Sequence, residues 1–456
     1  MVDPRGKAFS VLGAARSGIA VASLLQERGA RVFVSDRAPA ERMAVARAEL
    51  EQRGIASEWG AHTPRILDAD IIVLSPGVPT DAPVVQEALR AGRMVVSEVE
   101  VAGWFCPAPI VAITGTNGKT TTTTLAGLLF QDAGMPVAVA GNIGTAFSEV
   151  AEAVGPEGVA VVEVSSFQLD YVQSFRPRVA VILNITPDHL DRYDHSFALY
   201  IAAKERVFRK QAPGDVLIYN ADDDVTRGAV ERDAPPGVSL LPFTLRGVPE
   251  RGAGVAHGVM RAVLEDGAHD VIRADEISIR GEHNLANAMA ATLAAAVSGV
   301  PAASVRATLR NFRGVEHRLE FVRELDGVAY VNDSKATNVD AVWYAIRSFD
   351  RPLVVLMGGR DKGNDYTRLV GPVREHVRAI VAIGESSGMV RRAFAGVVPV
   401  EEAASMDAAV RAARALARQG DTVLLSPACA SFDWFDNYEH RGRAFKEIVM
   451  ALGSTH

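Results

Sequence analysis

Short apolar runs rich in Val and Ile punctuate the chain. They are Phe9–Leu12, Arg31–Val34, Ile71–Leu74, Ile110–Ile113, Val159–Val162, Val179–Leu183, Leu353–Met357, Ala379–Ile383 and Thr422–Leu425. Their shortness and branched side chains predict buried strands. Between most of them lie segments with apolar residues at helical spacing, such as Gly18–Arg28, Thr121–Ala133, Ser196–Arg209 and Met406–Gln419. Strands that alternate with helices predict parallel sheets covered by helices, an α/β fold. Ligands of such sheets bind beyond the carboxyl ends of the strands. The residues after each run are therefore the ones to read for chemistry.

The pattern breaks twice. Trp104–Pro109 (WFCPAP) interrupts it before a fresh strand, and Phe312–Arg318 follows an alanine-rich helical stretch. These breaks predict domains near 1–106, 107–314 and 315–456, and a length of 456 residues suits about three domains. The segment Ala234–Ile279, rich in Gly, Pro and polar alternation, predicts loops and short strands, a small extra β-sheet on the central domain. With 48% hydrophobic and 23% charged residues, the chain has the make-up of a soluble globular enzyme. Its net charge of −7 and lack of a basic run disfavour nucleic acid or an anionic membrane as partner. Cations that bind phosphates must then be placed locally. Two distant cysteines, Cys106 and Cys429, exclude a disulfide framework and are expected as small buried residues of a protein in a reducing compartment. Arg16 and Arg28 interrupt the mildly apolar N-terminal stretch, which reads as strand, turn and helix rather than a signal peptide. No apolar run is long enough to span a bilayer.

The sharpest local signal is Ile110-Val-Ala-Ile-Thr-Gly-Thr-Asn-Gly-Lys-Thr-Thr-Thr123. A β-run stops at a turn holding Gly115 and Gly118, and Lys119 and Thr120 then open a helix. Glycines let the backbone curl around an anion, and a helix N-terminus adds a positive dipole end. Lys119 suits the β- and γ-phosphates of a nucleotide, and the Thr120 hydroxyl suits Mg²⁺. Full P-loop spacing would place a glycine at Ile113, so the loop is a shortened variant.

Other strand ends carry polar groups. Glu163 closes one run and is placed either to hold Mg²⁺ or to cap the next helix. Asp188, His189 and Asp191 cluster after another, as a site or as structural loop residues. Asn284 and Asn287 share a helix face, suited to an adenine edge or to capping. Lys204, between Ala203 and Glu205, reads by spacing as a surface lysine.

Taken together, Thr114-Gly-Thr-Asn-Gly-Lys-Thr120, Glu163-Val-Ser-Ser-Phe-Gln168, Asn184-Ile-Thr-Pro-Asp-His189, Gly281-Glu-His-Asn-Leu-Ala-Asn287 and His317-Arg318 resemble the Mur ligases. Folylpolyglutamate synthetases share part of this set, but the separate N-terminal α/β unit argues against them. Asn332-Asp-Ser-Lys-Ala-Thr-Asn338, Met357-Gly-Gly-Arg-Asp-Lys362, Leu425-Ser-Pro-Ala-Cys-Ala-Ser-Phe-Asp433 and Tyr438-Glu-His-Arg-Gly442 look like the D-glutamate-adding branch. The resemblance implies an N-terminal Rossmann-like sheet, a central P-loop ATPase-type domain and a C-terminal Rossmann-like domain. It implies a cytoplasmic enzyme that joins D-glutamate to UDP-N-acetylmuramoyl-L-alanine with ATP, through an acyl phosphate; a monomer is the default expectation.

The resemblance also implies site residues. Gly115, Thr116, Asn117, Gly118, Lys119, Thr120 and Thr121 would bind ATP, with Asn284, Asn287, Arg318 and Asp333. Thr120, Glu163, His189 and a carbamylated Lys204 would hold two Mg²⁺ ions, with Lys119, Glu163, His189 and Lys204 as the catalytic group. Arg16, Ser17, Asp36, Arg37, Ser75, Gly77, Asn142, Ser165 and Gln168 would line the UDP-precursor path. Thr337, Lys362, Ser431 and Tyr438 would receive D-glutamate; many relatives carry Phe where Tyr438 stands. The loop Gly13-Ala-Ala-Arg-Ser-Gly18 alone is a weak dinucleotide signal, with Ala15 where that fingerprint has glycine. A GTPase switch is disfavoured by the lack of an Asn-Lys-x-Asp signature. Because the ATP and D-glutamate residues fall in different domains, closure around bound substrates is expected.

Overall fold

The computed structural model describes residues 2–142, 144–279, 281–349, 351–361 and 363–453. They form two compact units. One runs to Ile277 and takes in Ala286–Asn311; the other joins Ser278–Leu285 to the chain from Phe312 onward.

The first unit holds two sheets. The N-terminal sheet has strands β1 (Ala8–Leu12), β2 (Arg31–Asp36), β3 (Ala56–Trp59), β4 (Ile71–Leu74) and β5 (Met94–Ser97), all parallel, in the order β3-β2-β1-β4-β5. The order reverses at β1, so the crevice beyond its end is where a ligand fits. The central sheet has β6 (Ile110–Thr114), β7 (Val137–Gly141), β8 (Val159–Glu163), β9 (Val179–Ile182), β10 (Val216–Asn220), β11 (Ser239–Thr244), β12 (Gly252–Ala256), β13 (Val259–Leu264) and β14 (Gly267–Arg273). Its order is β14-β13-β12-β11-β10-β9-β6-β8-β7. The strands expected as a small attached sheet within Ala234–Ile279 thus continue the edge of the central one, ending in the antiparallel meander β12–β13–β14.

The second unit has one sheet. Its strands are β15 (Glu320–Leu325), β16 (Val328–Asn332), β17 (Leu353–Gly358), β18 (Val377–Ile383), β19 (Val400–Ala403) and β20 (Thr422–Leu425), ordered β15-β16-β20-β17-β18-β19. Only β15 runs antiparallel to its neighbour.

Every apolar run singled out above falls on a strand. The central strands β6 and β8 are buried at every position, which is why they read as continuous hydrophobic runs. The edge strands β3 (ASEW) and β19 (VEEA) are only partly covered and carry no such signal. Cys429 is buried as expected, whereas Cys106 is only half-buried, because it lies where the helix Glu98–Phe105 gives way to the loop before β6.

Two carboxylates of the helix Glu98–Phe105 join the two sheets of the first unit. Glu98 accepts from the backbone N–H and the hydroxyl of Ser148, both at 2.7 Å. Burial pushes its carboxyl above the ordinary range, against those two bonds. Glu100 accepts from the backbone N–H groups of Gln173, Ser174 and Phe175 at 2.8–2.9 Å and from Trp104 Nε1 at 3.0 Å. A fully buried carboxylate is tolerable only when donors surround it. Replacing Glu100 with Ala strands three amides in the interior, each costing about 1–3 kcal/mol. Glu100→Ala is therefore expected to lower the urea midpoint of this unit and to speed hydrogen exchange at residues 173–175. Unchanged exchange there would contradict the assignment.

Candidate functional site

Three adjacent strands, β8, β6 and β9, end side by side, and their carboxyl ends bring Glu163, the loop 115–118 and Asn184 together. The loop is pinned to the end of β9. Asn184 accepts from Thr116 N through its carbonyl (2.9 Å) and from Asn117 N through its side-chain oxygen (2.8 Å), and its Nδ2 donates to Asn117 O (3.1 Å). Thr116 Oγ1 accepts from Thr186 N at 3.0 Å, donates to Thr186 O at 3.1 Å and lies 3.2 Å from Tyr200 OH. Gly118 sits at φ +86° directly before the helix Lys119–Asp132, where a Cβ would overlap the side-chain oxygen of Asn287. The N–H groups at a helix start of this kind suit an anion.

Two lysine side chains meet one carbonyl. Lys119 Nζ donates to Gly115 O and to Thr116 O, each at 2.8 Å, and Lys204 Nζ donates to Gly115 O, also at 2.8 Å. The surface position expected for Lys204 is wrong: it is 1% exposed. The helix Phe197–Glu205 packs it against the loop, with Nζ 4.8 Å from the centre of the Tyr200 ring. Burial, then repulsion from Lys119, hold the Lys204 amine well below its ordinary pKa, while Asp188, Asp170 and Glu163 pull the other way.

Glu163 Oε1 accepts from Asn142 Nδ2 at 2.9 Å, whereas Oε2 is buried without a partner. An orphaned buried carboxylate oxygen suits a cation. His189 adopts φ +52° and packs edge-on against Phe167 at 5.2 Å, and Nε2 lies 3.8 Å from Asp188 Oδ2. The hydroxyl of Thr121 is also buried and unpartnered. Among the described residues, Glu163 and His189 are not part of a cluster tight enough to chelate an ion alone. Mg²⁺ here would need phosphate oxygens and water as further ligands, its usual habit.

Ser165 and Gln168 bond to each other in a capping box of the helix Ser166–Leu169, so both have a structural use. In the N-terminal sheet, Asp36 accepts from Ala14 N at 2.6 Å and from Ala38 N at 2.7 Å, tying the loop after β1 to the end of β2. Ser75 donates to Gly13 O at 3.0 Å. Arg16, Arg37 and Gly77 are exposed at the same end of this sheet, and Ser17 is partly so. These groups lie beyond the strand ends, where a ligand is expected.

Asn287 belongs to the first unit. Asn284, Arg318, Asp333, Thr337, Ser431 and Tyr438 belong to the second. Asp333 is buried and accepts from Leu319 N (3.2 Å) and Ser426 Oγ (2.9 Å). Burial raises its carboxyl to about 7, opposed first by Arg318. Tyr438 packs edge-on against His317 at 6.2 Å, with Lys335 Nζ 5.3 Å from its ring centre. Ser431 is buried, and Thr337 is partly exposed. Lys362 lies outside the described residues.

A curated relative from Salinibacter ruber, "UDP-N-acetylmuramoylalanine--D-glutamate ligase", is 52% identical over 451 residues, covering 97% of each chain. This chain belongs to the Mur ligase family. A relative of the same name from Chloroherpeton thalassium is 46% identical over 98% of this chain and 99% of its own. Family models for the "Mur ligase MurD-like, N-terminal domain", the "Mur ligase middle domain" and the "Mur ligase, glutamate ligase domain" match residues 7–97, 113–295 and 317–429. Among solved structures, a pseudomurein peptide ligase type C from Methanothermus fervidus superposes with a TM-score of 0.62 at 19% identity, covering 98% and 99% of the two chains. A UDP-N-acetylmuramate-alanine ligase from Thermotoga maritima gives 0.60 at 18%, with the same coverage. At such identity these two likenesses speak for the Mur ligase fold alone.

Sequence reading of this Mur ligase missed Tyr200, Asn184 as a loop anchor, and Arg441. Arg441 is 1% exposed and donates to Ser334 Oγ (2.9 Å), Ser334 O (2.8 Å) and Cys429 O (3.1 Å), binding two loops of the second unit together. Burial lowers its guanidinium to about 10. Its place inside the quoted motif Tyr438–Gly442 was the one available signal. For the loop, the positive φ at Gly118 yields a direct expectation. A left-handed Ala costs about 1–2 kcal/mol, and the overlap with Asn287 adds to it. Gly118→Ala should weaken Mg-ATP binding in calorimetry by about tenfold or more, with the far-ultraviolet circular dichroism preserved. Unaltered ATP affinity would contradict the cradle.

Proposed function

We propose that the chain ligates D-glutamate to the carboxyl group of UDP-N-acetylmuramoyl-L-alanine, converting ATP to ADP and phosphate, in the cytoplasm and as a monomer. The substrate pair is supported by the name carried by relatives that align with nearly the whole chain. The observation that carries the chemistry is the convergence of a helix-start cradle, two lysines on one carbonyl and an orphaned carboxylate oxygen. Residues 1–106 hold the UDP precursor, 107–314 bind ATP, and 315–456 hold D-glutamate. Domain closure around bound substrates would exclude water from the acyl phosphate.

A carboxylate is a poor electrophile, so the γ-phosphoryl group is first transferred to it. The loop N–H groups of 115–120 and the Lys119 ammonium stabilise the charge on the transferring oxygens. Asn284, Asn287, Arg318 and Asp333 position the nucleotide. When bound, Mg²⁺, two ions in this reading, would sit on Thr120, Glu163, His189 and the modified Lys204 and neutralise phosphate charge. The lowered pKa of the Lys204 amine favours its neutral form, the one that adds to CO₂. That addition releases one proton and leaves a carbamate, replacing a buried amine with an anionic oxygen donor. D-glutamate, held by Thr337, Lys362, Ser431 and Tyr438, then attacks the acyl carbon through its amine, and phosphate leaves. Arg16, Ser17, Asp36, Arg37, Ser75, Gly77 and Asn142 line the acceptor's path, with Ser165 and Gln168 at its inner end.

Phosphate release assayed with each substrate omitted in turn tests the reaction. Release is expected only with ATP, acceptor and D-glutamate all present; undiminished release without D-glutamate would overturn the assignment. Lys119→Ala should reduce turnover by about 10³-fold or more and leave binding of the UDP acceptor intact in calorimetry. Lys204→Ala should be inactive and should regain activity with added short carboxylates. No regain at saturating acetate or formate would count against the carbamate.

A further inference from the structure

The far end of β2 carries a hydrogen-bond chain that the reaction just described leaves unused. Ser35 and Glu58 are register partners on β2 and β3, and Ser35 Oγ donates to Glu58 Oε1 at 2.6 Å. Glu58 also accepts from Thr63 N at 3.0 Å and Thr63 Oγ1 at 2.6 Å. Burial opposes the charge on Glu58, but these donors outweigh it and hold the carboxyl below its ordinary range. The hydroxyl proton of Ser35 is therefore committed to Glu58. His62 Nδ1 lies 2.7 Å from the same Ser35 Oγ. With that proton spent, the Ser35 oxygen can only accept from His62, so Nδ1 carries the hydrogen. The second ring nitrogen, Nε2, is then a bare acceptor. It has no hydrogen-bond partner among the described residues, and the ring is half-buried.

The place of this acceptor matters. Gly60 N donates to both Asp36 O and Ala38 O at 3.0 Å, which ties the 60–63 loop to the turn after β2. His62 thus stands beside Asp36 and Arg37, beyond the carboxyl end of a strand that neighbours the switch point at β1. Each carboxylate oxygen of Asp36 already takes one backbone N–H, so His62 Nε2 adds a further acceptor to that crevice. Burial lowers the imidazole's pKa, with Glu58 and Asp36 opposing, which favours the neutral ring.

We propose that His62 Nε2 accepts a hydrogen bond from a donor on the nucleoside half of the acceptor, either the uracil N3–H or a ribose hydroxyl. The tautomer is set by the Glu58–Ser35 chain. This rests on the reading that the N-terminal sheet binds the UDP acceptor. It adds a specificity residue that no motif in the sequence marked, since an imide N–H or a ribose hydroxyl each demands an acceptor.

The test compares the wild-type chain, His62→Ala and His62→Gln with three acceptors: the natural one, its 3-methyluracil form and its 2′-deoxyribose form. His62→Ala should raise KM for the natural acceptor about tenfold, while Mg-ATP binding in calorimetry stays within twofold. His62→Gln, whose amide oxygen can replace Nε2, should recover most of the loss. One modified acceptor should bind the wild type about tenfold worse and suffer no further loss in His62→Ala, which identifies the donor. An unchanged KM in His62→Ala, or losses that multiply for both modified acceptors, would overturn the proposal. A wild-type chain that fails to bind any of the three acceptors would instead remove the reading beneath it.

Discussion

The crowding of two lysine side chains onto the carbonyl of Gly115 is the constraint on which the rest of the central site depends. A single backbone oxygen cannot neutralise two cations in a buried place. The arrangement is eased because Asp188, Asp170 and Glu163 lie around it, because the Tyr200 ring faces Lys204, and because burial and Lys119 shift the Lys204 amine towards its neutral form. Groups fixed in this way by their neighbours need little reorganisation to meet a charge, which is the physical content of preorganisation.

The loop is held in that state by its neighbours rather than by its own sequence. Asn184 and Thr186, from the end of the adjacent strand, carry the bonds that fix the backbone of Thr116 and Asn117. The parallel order β8-β6-β9 is what aligns these three strand ends. Further out, Glu98 and Glu100 tie the N-terminal sheet to the central one through donors that lie about fifty and seventy residues away in sequence. The loops beyond the N-terminal strands and the loop 115–118 are therefore parts of one unit, connected by buried, hydrogen-bonded carboxylates.

Much of this was legible in the chain. Buried strands announce themselves as apolar runs because both faces are covered, and Gly115, Gly118 and Lys119 announce the loop because only those residue types can build it. The edge strands Ala56–Trp59 and Val400–Ala403 were silent, since a half-exposed strand may carry Glu and Ser without cost. Lys204 misled for a related reason. A lysine among alanines on a helix looks solvated, and nothing local tells that this helix face turns inward onto the phosphate loop. Ser165 and Gln168, quoted together in one motif, turn out to cap their own helix.

The sequence by itself determined the α/β alternation, the phosphate loop, the order of the motifs and, through them, the family. These are properties of short segments, in which steric freedom at glycine, side-chain branching and charge act over a few residues. Only the tertiary structure decided which groups lose their solvent. Burial of Lys204, the bare oxygen of Glu163, the acceptor nitrogen of His62 and the role of Arg441 all arise from chains remote in sequence closing over them. Desolvation depends on every atom within several ångströms, so it is set by the fold as a whole.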